Sequence, residues 1–246
     1  MKILITNDDG IEAQGIKVLV DSLKDEHDLL VLAPYKEQSG VSSHLTVRGD
    51  MQIKRRYIFD GVRAYSLQGT PADCISVFFD NQEDFNFIPD LIIAGINRGS
   101  NMAYDLIFSG TCGAARQGAL WGYNSIALSS CGYQNPNYET AARFLIDNFD
   151  IFFSLADKRS FWNVNVPDIE YKDLKGYKYC KLGVLKYNKN YSKTTENKYV
   201  LTGYGEPDLN NSKDSDVEAV NDNYVAITPI TIDQTNYELL KEIKWE

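Results

Sequence analysis

The chain has 246 residues, a length that suits one large α/β domain or such a domain with a small annex. Its apolar fraction of 43% is ordinary for a folded protein, and no apolar run approaches the roughly 18 residues of a membrane span. The formal net charge is −9 and the sequence pI is about 4.8. The absence of such a run predicts no membrane partner, and the acidic surface predicts no nucleic acid polymer as partner, because it repels the phosphate backbone. A small anion would need a local positive potential.

Two further features bear on where the protein works. Residues 1–6 run directly into polar and acidic residues, without the longer apolar core and cleavage site of a secretory signal peptide. The four cysteines lack CxxC spacing and lie among apolar residues, which favours buried free thiols over disulfides or zinc ligands. They are Cys74, Cys112, Cys131 and Cys180. We therefore expect a cytoplasmic protein.

The start of the chain has the pattern of a βαβ unit. Residues 2–6 form a short apolar run that ends in a polar loop, as a buried strand does. Residues 15–23 place apolar side chains at helical spacing, and residues 29–32 form a second apolar run. A strand, a helix and a strand in this order predict a parallel sheet with a right-handed crossover.

Six more elements are predicted from the same local signals, and they continue the alternation typical of doubly wound sheets. Thr70 is a candidate N-cap, with Pro71 in the first turn and Asp73 where the helix dipole favours a carboxylate. In chain order, we expect a hairpin over 52–67, a helix from Thr70, a strand over 89–95, a helix over 109–121, a strand over 125–129 and a helix over 138–155.

The composition changes after residue 167. The segment 176–230 is rich in Tyr, Lys and Asn with short alternating runs, and we interpret it as a β-rich annex of hairpins rather than more parallel sheet. Residues 235–246 are predicted to form a terminal helix capped by Thr235. The apolar stripe of this helix consists of Leu239, Leu240 and Ile243.

A pair of carboxylates, Asp8 and Asp9, follows the first predicted strand. In open α/β sheets, ligands bind beyond the carboxyl ends of the strands. Adjacent carboxylates repel each other unless a cation lies near them, and hard oxygen ligands suit Mg²⁺ or Mn²⁺ rather than zinc. The composition of residues 7–10 is also that of a simple turn, so the pair alone leaves both interpretations open.

Two neutral residues shift that balance towards a metal site. Ser39 follows the second strand, and Asn97 follows a later one. A hydroxyl and an amide oxygen can complete the shell of a small hard ion while leaving positions for water and phosphate. Since the ends of neighbouring parallel strands meet at one edge, the four residues together favour a divalent metal site.

An anion site is predicted at the start of a later helix. Ser109, Gly110 and Thr111 are small residues at a helix N-terminus, where N–H groups and the helix dipole attract anions. An ordinary N-cap on a closely packed helix explains the same residues, and both can hold. Asn101 and Arg98 precede this helix and are further candidates for binding phosphate, although Arg98 can instead pair with a surface carboxylate.

A serine-rich loop after the second strand supplies two candidates for substrate contact, Ser43 and His44. A Ser–His–Asp triad would need His44, but no GxSxG nucleophile elbow accompanies it. The chain also lacks a Walker loop, which argues against that class of nucleoside triphosphatase.

Six blocks of the sequence, in order, carry a family resemblance. They are residues 3–11, 33–46, 69–74, 95–111, 163–167 and 215–229. Together they resemble the SurE family of survival proteins, which are 5′/3′-nucleotidases, and the match covers most of the chain. The loop 41–45 varies within that family, and residues 188–211 contain no motif that aligns with it.

The resemblance implies that Asp8, Asp9, Ser39 and Asn97 bind one divalent ion per subunit, Mg²⁺ or Mn²⁺. It also implies an α/β fold: a Rossmann-like three-layer core with a mostly parallel sheet over 1–175, plus a C-terminal β-hairpin annex and terminal helix over 176–246. In the family these C-terminal segments are exchanged between subunits of a homodimer or homotetramer.

The resulting hypothesis is metal-dependent hydrolysis of nucleoside 5′- and 3′-monophosphates, with short polyphosphate as a further substrate. Asp8 and Asp9 are the catalytic candidates, and Asp8 would orient or deprotonate the attacking water. An aspartyl-phosphate phosphatase needs a DxD motif, and a zinc deacetylase needs two histidine ligands that His27 and His44 are poorly placed to supply. A non-catalytic nucleotide-binding module keeps the anion site without a metal and stays open as an alternative.

Overall fold

A computed structural model describes residues 1–153, 159–187, 191–202 and 205–243. The strands are β1 Lys2–Thr6, β2 Asp28–Pro34, β3 Ile53–Arg56, β4 Arg63–Leu67, β5 Leu91–Arg98, β6 Ser125–Ser130, β7 Ser160–Val166, β8 Tyr177–Tyr179, β9 Leu185–Lys186, β10 Tyr191–Thr195, β11 Lys198–Leu201, β12 Glu206–Pro207 and β13 Val225–Thr231. The helices are α1 Gln14–Leu23, α2 Pro71–Asp80, α3 Gln82–Phe85, α4 Gly110–Leu120, α5 Tyr138–Asp147, α6 Phe149–Phe152, α7 Asp216–Asn221 and α8 Tyr237–Glu242. Two 3₁₀ helices span Ala103–Ile107 and Tyr171–Asp173.

Nine strands form a central sheet in the order β3-β4-β2-β1-β5-β6-β7-β13-β8. The strands β4, β2, β1, β5, β6 and β7 run parallel, while β3 and β13 pair antiparallel with their neighbours β4 and β7. Their apolar runs are continuous rather than alternating, because helices cover both faces of the sheet. The predicted α/β fold with a mostly parallel sheet is confirmed.

The two faces of the sheet bury two separate apolar cores. Leu19 of α1 and Phe144 of α5 belong to one core, and Phe78 of α2 and Ala115 of α4 belong to the other. All four cysteines are free thiols, as expected, and Cys131 is the one that is only partly buried. No helix among the described residues is long and apolar enough to cross a membrane.

The C-terminal part contains the expected antiparallel pairs, β10 with β11 and β9 with β12, outside the central sheet. Two other strands of the same region, β8 and β13, lie in the central sheet, so the segment 176–230 is not composed of hairpins alone. The division into a core over 1–175 and an annex over 176–246 stays a prediction.

Two helix boundaries differ from those expected. The helix expected over 138–155 ends at Asp147, because the side-chain amide of Asn148 donates to the Phe144 carbonyl at 2.9 Å. A separate short helix, α6, follows, and residue 155 lies outside the described residues. The cap of α8 is Asn236 rather than Thr235, since its side chain accepts the Leu239 N–H at 2.9 Å. Residues 244–246 also lie outside the described ranges.

The predicted start of α2 is present as a full capping box. The Thr70 hydroxyl accepts the Asp73 N–H at 3.1 Å, and the Asp73 carboxylate accepts the Thr70 N–H at 2.9 Å. The same carboxylate accepts the N–H and hydroxyl of Thr46, at 2.9 and 2.7 Å. Asp73 therefore ties the loop after β2 to the helix, besides starting the helix.

Replacing Asp73 with alanine should lower the free energy of unfolding by about 2 kcal/mol, because the buried N–H of Thr70 and the part-buried donors of Thr46 lose their acceptor. Urea denaturation of the variant measures the change. Asp80→Ala, at the exposed end of the same helix, is the matched control and should be nearly neutral. Equal stability of the two variants would contradict this account.

Candidate functional site

The candidate site lies at the carboxyl edge of the parallel sheet. Strand β1 sits between β2 and β5 and pairs in parallel with both, so the loops that follow the three strands emerge side by side. Asp8 and Asp9 follow β1 directly, Ser39 lies in the loop after β2, and Asn97 is near the end of β5. The topology therefore brings the four predicted metal ligands to one edge.

Asp8 is the buried centre of this edge, with 4% of its surface exposed. One carboxylate oxygen accepts the Thr111 hydroxyl at 2.5 Å, and the other accepts the Thr111 N–H at 3.1 Å. The Asp8 carbonyl accepts the Gln38 N–H at 2.7 Å, which holds the loop after β2 against the end of β1. Burial raises the pKa of Asp8 to about 6; the Thr111 hydroxyl opposes the rise and the Asp9 charge adds to it.

Asp9 is half-buried beside Asp8 and faces the end of β5. One of its carboxylate oxygens accepts the Arg98 N–H at 3.1 Å. Burial raises the pKa of Asp9, while the hydrogen bond and charge of Arg98 act against the rise. The Arg98 guanidinium is exposed and lies 3.7 Å from Glu37, so in this structure it pairs with a carboxylate at the rim, as the sequence allowed.

The first turn of α4 packs directly against Asp8. A Cβ added to Gly110 would lie 2.9 Å from the Asp8 Cβ and 3.2 Å from the Gln38 carbonyl oxygen, so only glycine permits this approach. Ser109 is the N-cap, and its hydroxyl accepts the Cys112 N–H at 3.1 Å. The N-terminal end of an 11-residue helix, with its partial positive charge, thus lies beside the carboxylate pair.

Ser39 and Asn97 differ in how firmly they are held. Asn97 is 9% exposed, and its amide donates to the Gly99 carbonyl at 2.8 Å, which fixes the plane of the side chain. Ser39 is exposed, and its hydroxyl donates to Glu37 at 2.8 Å. Asn97 is therefore preorganised at the edge, whereas Ser39 has an alternative partner.

Asn101 lies in a buried network that the sequence did not reveal. Its amide donates to the Ser129 hydroxyl at 2.9 Å, and its backbone N–H donates to the Asn165 side chain at 2.8 Å. The side chains of Asn163 and Asn165 both donate to the Asn101 carbonyl, at 2.7 and 3.3 Å. The alternation of two asparagines within the apolar strand β7 was a usable signal, since it places both on one face.

Ser43 and His44 lie in a loop that rests on α4. The Ser42 N–H donates to the Phe108 carbonyl at 2.9 Å, and the Ser43 hydroxyl accepts the Arg116 guanidinium at 2.8 Å. The His44 carbonyl accepts a hydrogen bond from the Thr70 hydroxyl at 2.5 Å, and His44 is an exposed residue. Arg116 is a residue of this region that the sequence did not point to.

The donor set at the edge fits a hard divalent cation. Among the described residues no three His, Cys, Asp or Glu side chains form a metal-binding group, so an ion here would depend on two carboxylates and neutral oxygens. Each Asp8 oxygen accepts one hydrogen bond from Thr111 and retains a second lone-pair direction. A cation would also offset the burial that raises the pKa of both aspartates, together with the Asp9 charge that raises the pKa of Asp8 and the Glu37 charge that raises the pKa of Asp9.

Taken together, the fold and the edge define an α/β protein with two buried or half-buried carboxylates next to a helix N-terminus, an arrangement suited to a cation and a phosphate. Comparison with known proteins agrees with this class. The family model described as Survival protein SurE matches residues 3–189. The chain therefore belongs to the SurE family.

Individual relatives match over nearly the whole chain. The 5′-nucleotidase SurE of Thermosipho africanus is 38% identical over 253 residues, which cover 99% of this chain and 96% of the relative. The 5′-nucleotidase SurE of Alkaliphilus metalliredigens is 37% identical, covering 99% and 98%. The crystal structure of the SurE protein from Aquifex aeolicus has a TM-score of 0.84 at 30% identity, covering 99% of this chain and 98% of that one.

The raised pKa of Asp8 predicts a pH-dependent stability in metal-free protein. Its pKa is about 6 in the fold and about 3.9 in an unfolded chain. The contribution of Asp8 to the free energy of unfolding is therefore fully present below about pH 4 and is lost as the pH rises through 6. Asp8→Asn removes this titration. Relative to Asp8→Asn, the wild type should therefore lose up to about 3 kcal/mol of unfolding free energy between about pH 4 and 7.

Urea denaturation in chelator at several pH values measures this difference. Asp80→Asn, an exposed residue, is the control and should follow the wild type at every pH. A wild-type stability that stays parallel to that of Asp8→Asn across the range would contradict the burial argument.

Proposed function

We propose that this protein is a metal-dependent phosphomonoesterase that hydrolyses nucleoside 5′-monophosphates, and also 3′-monophosphates, to nucleoside and phosphate. The observation that supports the proposal is the packing of the Gly110–Thr111 helix start on Asp8, because it puts the proposed phosphate-binding element in contact with a proposed metal ligand. The relatives named 5′-nucleotidase SurE, at 36–38% identity over nearly the full chain, support the same reaction.

Asp8, Asp9, Ser39 and Asn97 would hold one Mg²⁺ or Mn²⁺ ion. When bound, such an ion supplies polarisation of the phosphoryl oxygen and a lowered pKa for a water molecule. The chain itself orients the attacking water through the Asp8 carboxylate, whose position Thr111 fixes by two hydrogen bonds. Asp9 is held by the Arg98 N–H and supplies the second charge.

The phosphate would be bound at the start of α4. Ser109 and Gly110 would provide a hydroxyl and an N–H there, preorganised for the charge that develops on the phosphoryl oxygens. Asn101 would add the second hydrogen of its amide, since the first is donated to Ser129. Thr111 is assigned to the same role, although its N–H and hydroxyl both donate to Asp8 in this structure, so binding phosphate through Thr111 requires an exchange of partners. Arg98 would add positive charge from the rim after leaving Glu37.

The other expectations stay proposals. Short polyphosphate is proposed as a further substrate, and the cytoplasm as the location. A homodimer or homotetramer with exchanged C-terminal segments is supported by apolar side chains that are exposed in this part of the single chain. They are Tyr191, Tyr199, Leu201, Leu239 and Ile243, with between 45% and 67% of their surface exposed.

Substitution of either aspartate tests the site. Asp8→Asn and Asp9→Ala should each reduce metal-dependent phosphate release from adenosine 5′-monophosphate by a hundredfold or more, on the order of the loss of a transition-state interaction. Phosphate release is measured with Mg²⁺, with Mn²⁺ and with chelator. Asp21→Asn is the control and should retain full activity, because Asp21 is a surface residue of α1 that pairs with Lys24.

A substrate series separates the enzyme from the alternative, a nucleotide-binding module without catalysis. Nucleoside 5′- and 3′-monophosphates, tripolyphosphate and p-nitrophenyl phosphate are compared with each metal. Nucleotide binding without metal-dependent turnover of any of them would establish the binding module instead. A folded Asp9→Ala protein with full activity would show that the proposed site is wrong.

A further inference from the structure

Arg116 is a half-buried cation in α4 that the proposed reaction does not use. Its guanidinium carbon lies 5.7 Å from the centroid of the Phe161 ring. No carboxylate among the described residues lies within ion-pairing distance of it, and its Nε is buried without a hydrogen-bond partner. Burial lowers the pKa of this guanidinium, so the fold places the charge here at a cost.

The hydrogen bond between Arg116 and Ser43 has a defined direction. The Arg116 Nη1 lies 2.8 Å from the Ser43 Oγ. A guanidinium carries donors only, so the Ser43 oxygen must accept this bond. The hydroxyl hydrogen of Ser43 is then left to donate to another group, and the neighbouring positive charge makes it a stronger donor.

The loop that carries Ser43 cannot swing away from α4 without losing contacts. The Ser42 hydroxyl donates to the Ile107 carbonyl at 2.6 Å, and the Ser42 N–H donates to the Phe108 carbonyl. A Cβ added to Gly113 would lie 2.1 Å from the Ser42 carbonyl oxygen and 3.0 Å from the Ser43 nitrogen. Ser43 therefore rests on α4 at Gly113, which is three residues after Gly110.

Three residues of helix correspond to a rise of about 4.5 Å. Because Gly110 packs on Asp8, Ser43 is held roughly one helical turn beyond the phosphate end of the site. A nucleoside monophosphate with its phosphate at Gly110, extending along α4 towards Gly113, would have its sugar rather than its phosphoryl oxygens at that separation. The chemistry that fits Ser43 is thus a hydrogen-bond acceptor on the nucleoside part of the substrate.

We infer that Arg116 is a positioning residue for nucleotide specificity: it fixes the Ser43 hydroxyl as a donor to a sugar oxygen of the nucleoside monophosphate. The inference rests on the proposed function. It predicts a substrate-dependent effect, because a substrate without the sugar does not use this donor. Arg116 acts through Ser43, so the two substitutions should not add.

The test compares Arg116→Met, Ser43→Ala and the double variant on two substrates, adenosine 5′-monophosphate and p-nitrophenyl phosphate, with Mg²⁺ or Mn²⁺. Each single variant should raise KM for the nucleotide by about tenfold, the cost of one charge-assisted hydrogen bond, and leave kcat within about twofold. KM for p-nitrophenyl phosphate should not change. The double variant should match the single ones, and Arg116→Lys should recover part of the loss.

Arg143→Met is the matched control. Arg143 is an exposed residue of α5 whose guanidinium lies over the Tyr171 ring, and its replacement should leave KM and kcat unchanged for both substrates. Equal losses on both substrates, additive losses in the double variant, or an unchanged nucleotide KM would overturn the inference. If Arg116→Met does not fold, Ser43→Ala and Arg116→Lys carry the same comparison.

Calorimetric binding of adenosine 5′-monophosphate distinguishes failure of this inference from failure of the proposed function. A wild type that binds the nucleotide without turning over any phosphate ester would refute the enzyme. In that case a tenfold weaker binding by Ser43→Ala would still support the role of Arg116 and Ser43, and unchanged binding would refute it.

Discussion

The contact between Asp8 and the first turn of α4 is the interaction on which the site depends. It joins the end of a central strand to the start of a helix that lies across the sheet, and it buries a carboxylate against two Thr111 donors. The burial is costly for the ionised form and raises the pKa of Asp8. A site that keeps such a carboxylate needs a compensating charge, and both a helix N-terminus and a cation can provide one.

Small residues make this contact geometrically possible. Gly110 lets α4 approach Asp8, and Gly113 lets the Ser42 carbonyl approach the same helix one turn later. A side chain at either position would separate α4 from the loops that carry the polar groups. The helix thus serves as a common support, with the carboxylate pair at its start and the Ser43 loop along its side.

The sequence predicted those parts that local signals determine. The βαβ start and the Thr70 cap of α2 follow from residues that lie close together in the chain. The convergence of Asp8, Asn97 and Ser109 follows from the rule that the carboxyl ends of neighbouring parallel strands meet at one edge of the sheet. The Asn101 network was missed because it needs the register of β6 against β7, where Ala127 faces Asn163 and Ser129 faces Asn165. The helix break at Asn148 was missed because an asparagine can also lie inside a helix. The hydrogen bond from the Asn148 side chain to the Phe144 carbonyl ends the helix, and the sequence alone does not show that bond.

The charge distribution is compatible with the proposed binding of an anion by so acidic a chain. The net charge of −9 repels anions at long range, but exposed charges are screened within about 10 Å in ordinary salt. Close to the site, the exposed Arg98 is neutralised by Glu37, whereas the half-buried Arg116 has no described carboxylate partner. The N-terminal end of α4 carries a partial positive charge and lies beside Asp8, within that screening distance of the candidate phosphate position. For the proposed reaction, we therefore expect phosphate binding to depend on the start of α4 and on a bound cation, and not on the overall charge of the protein.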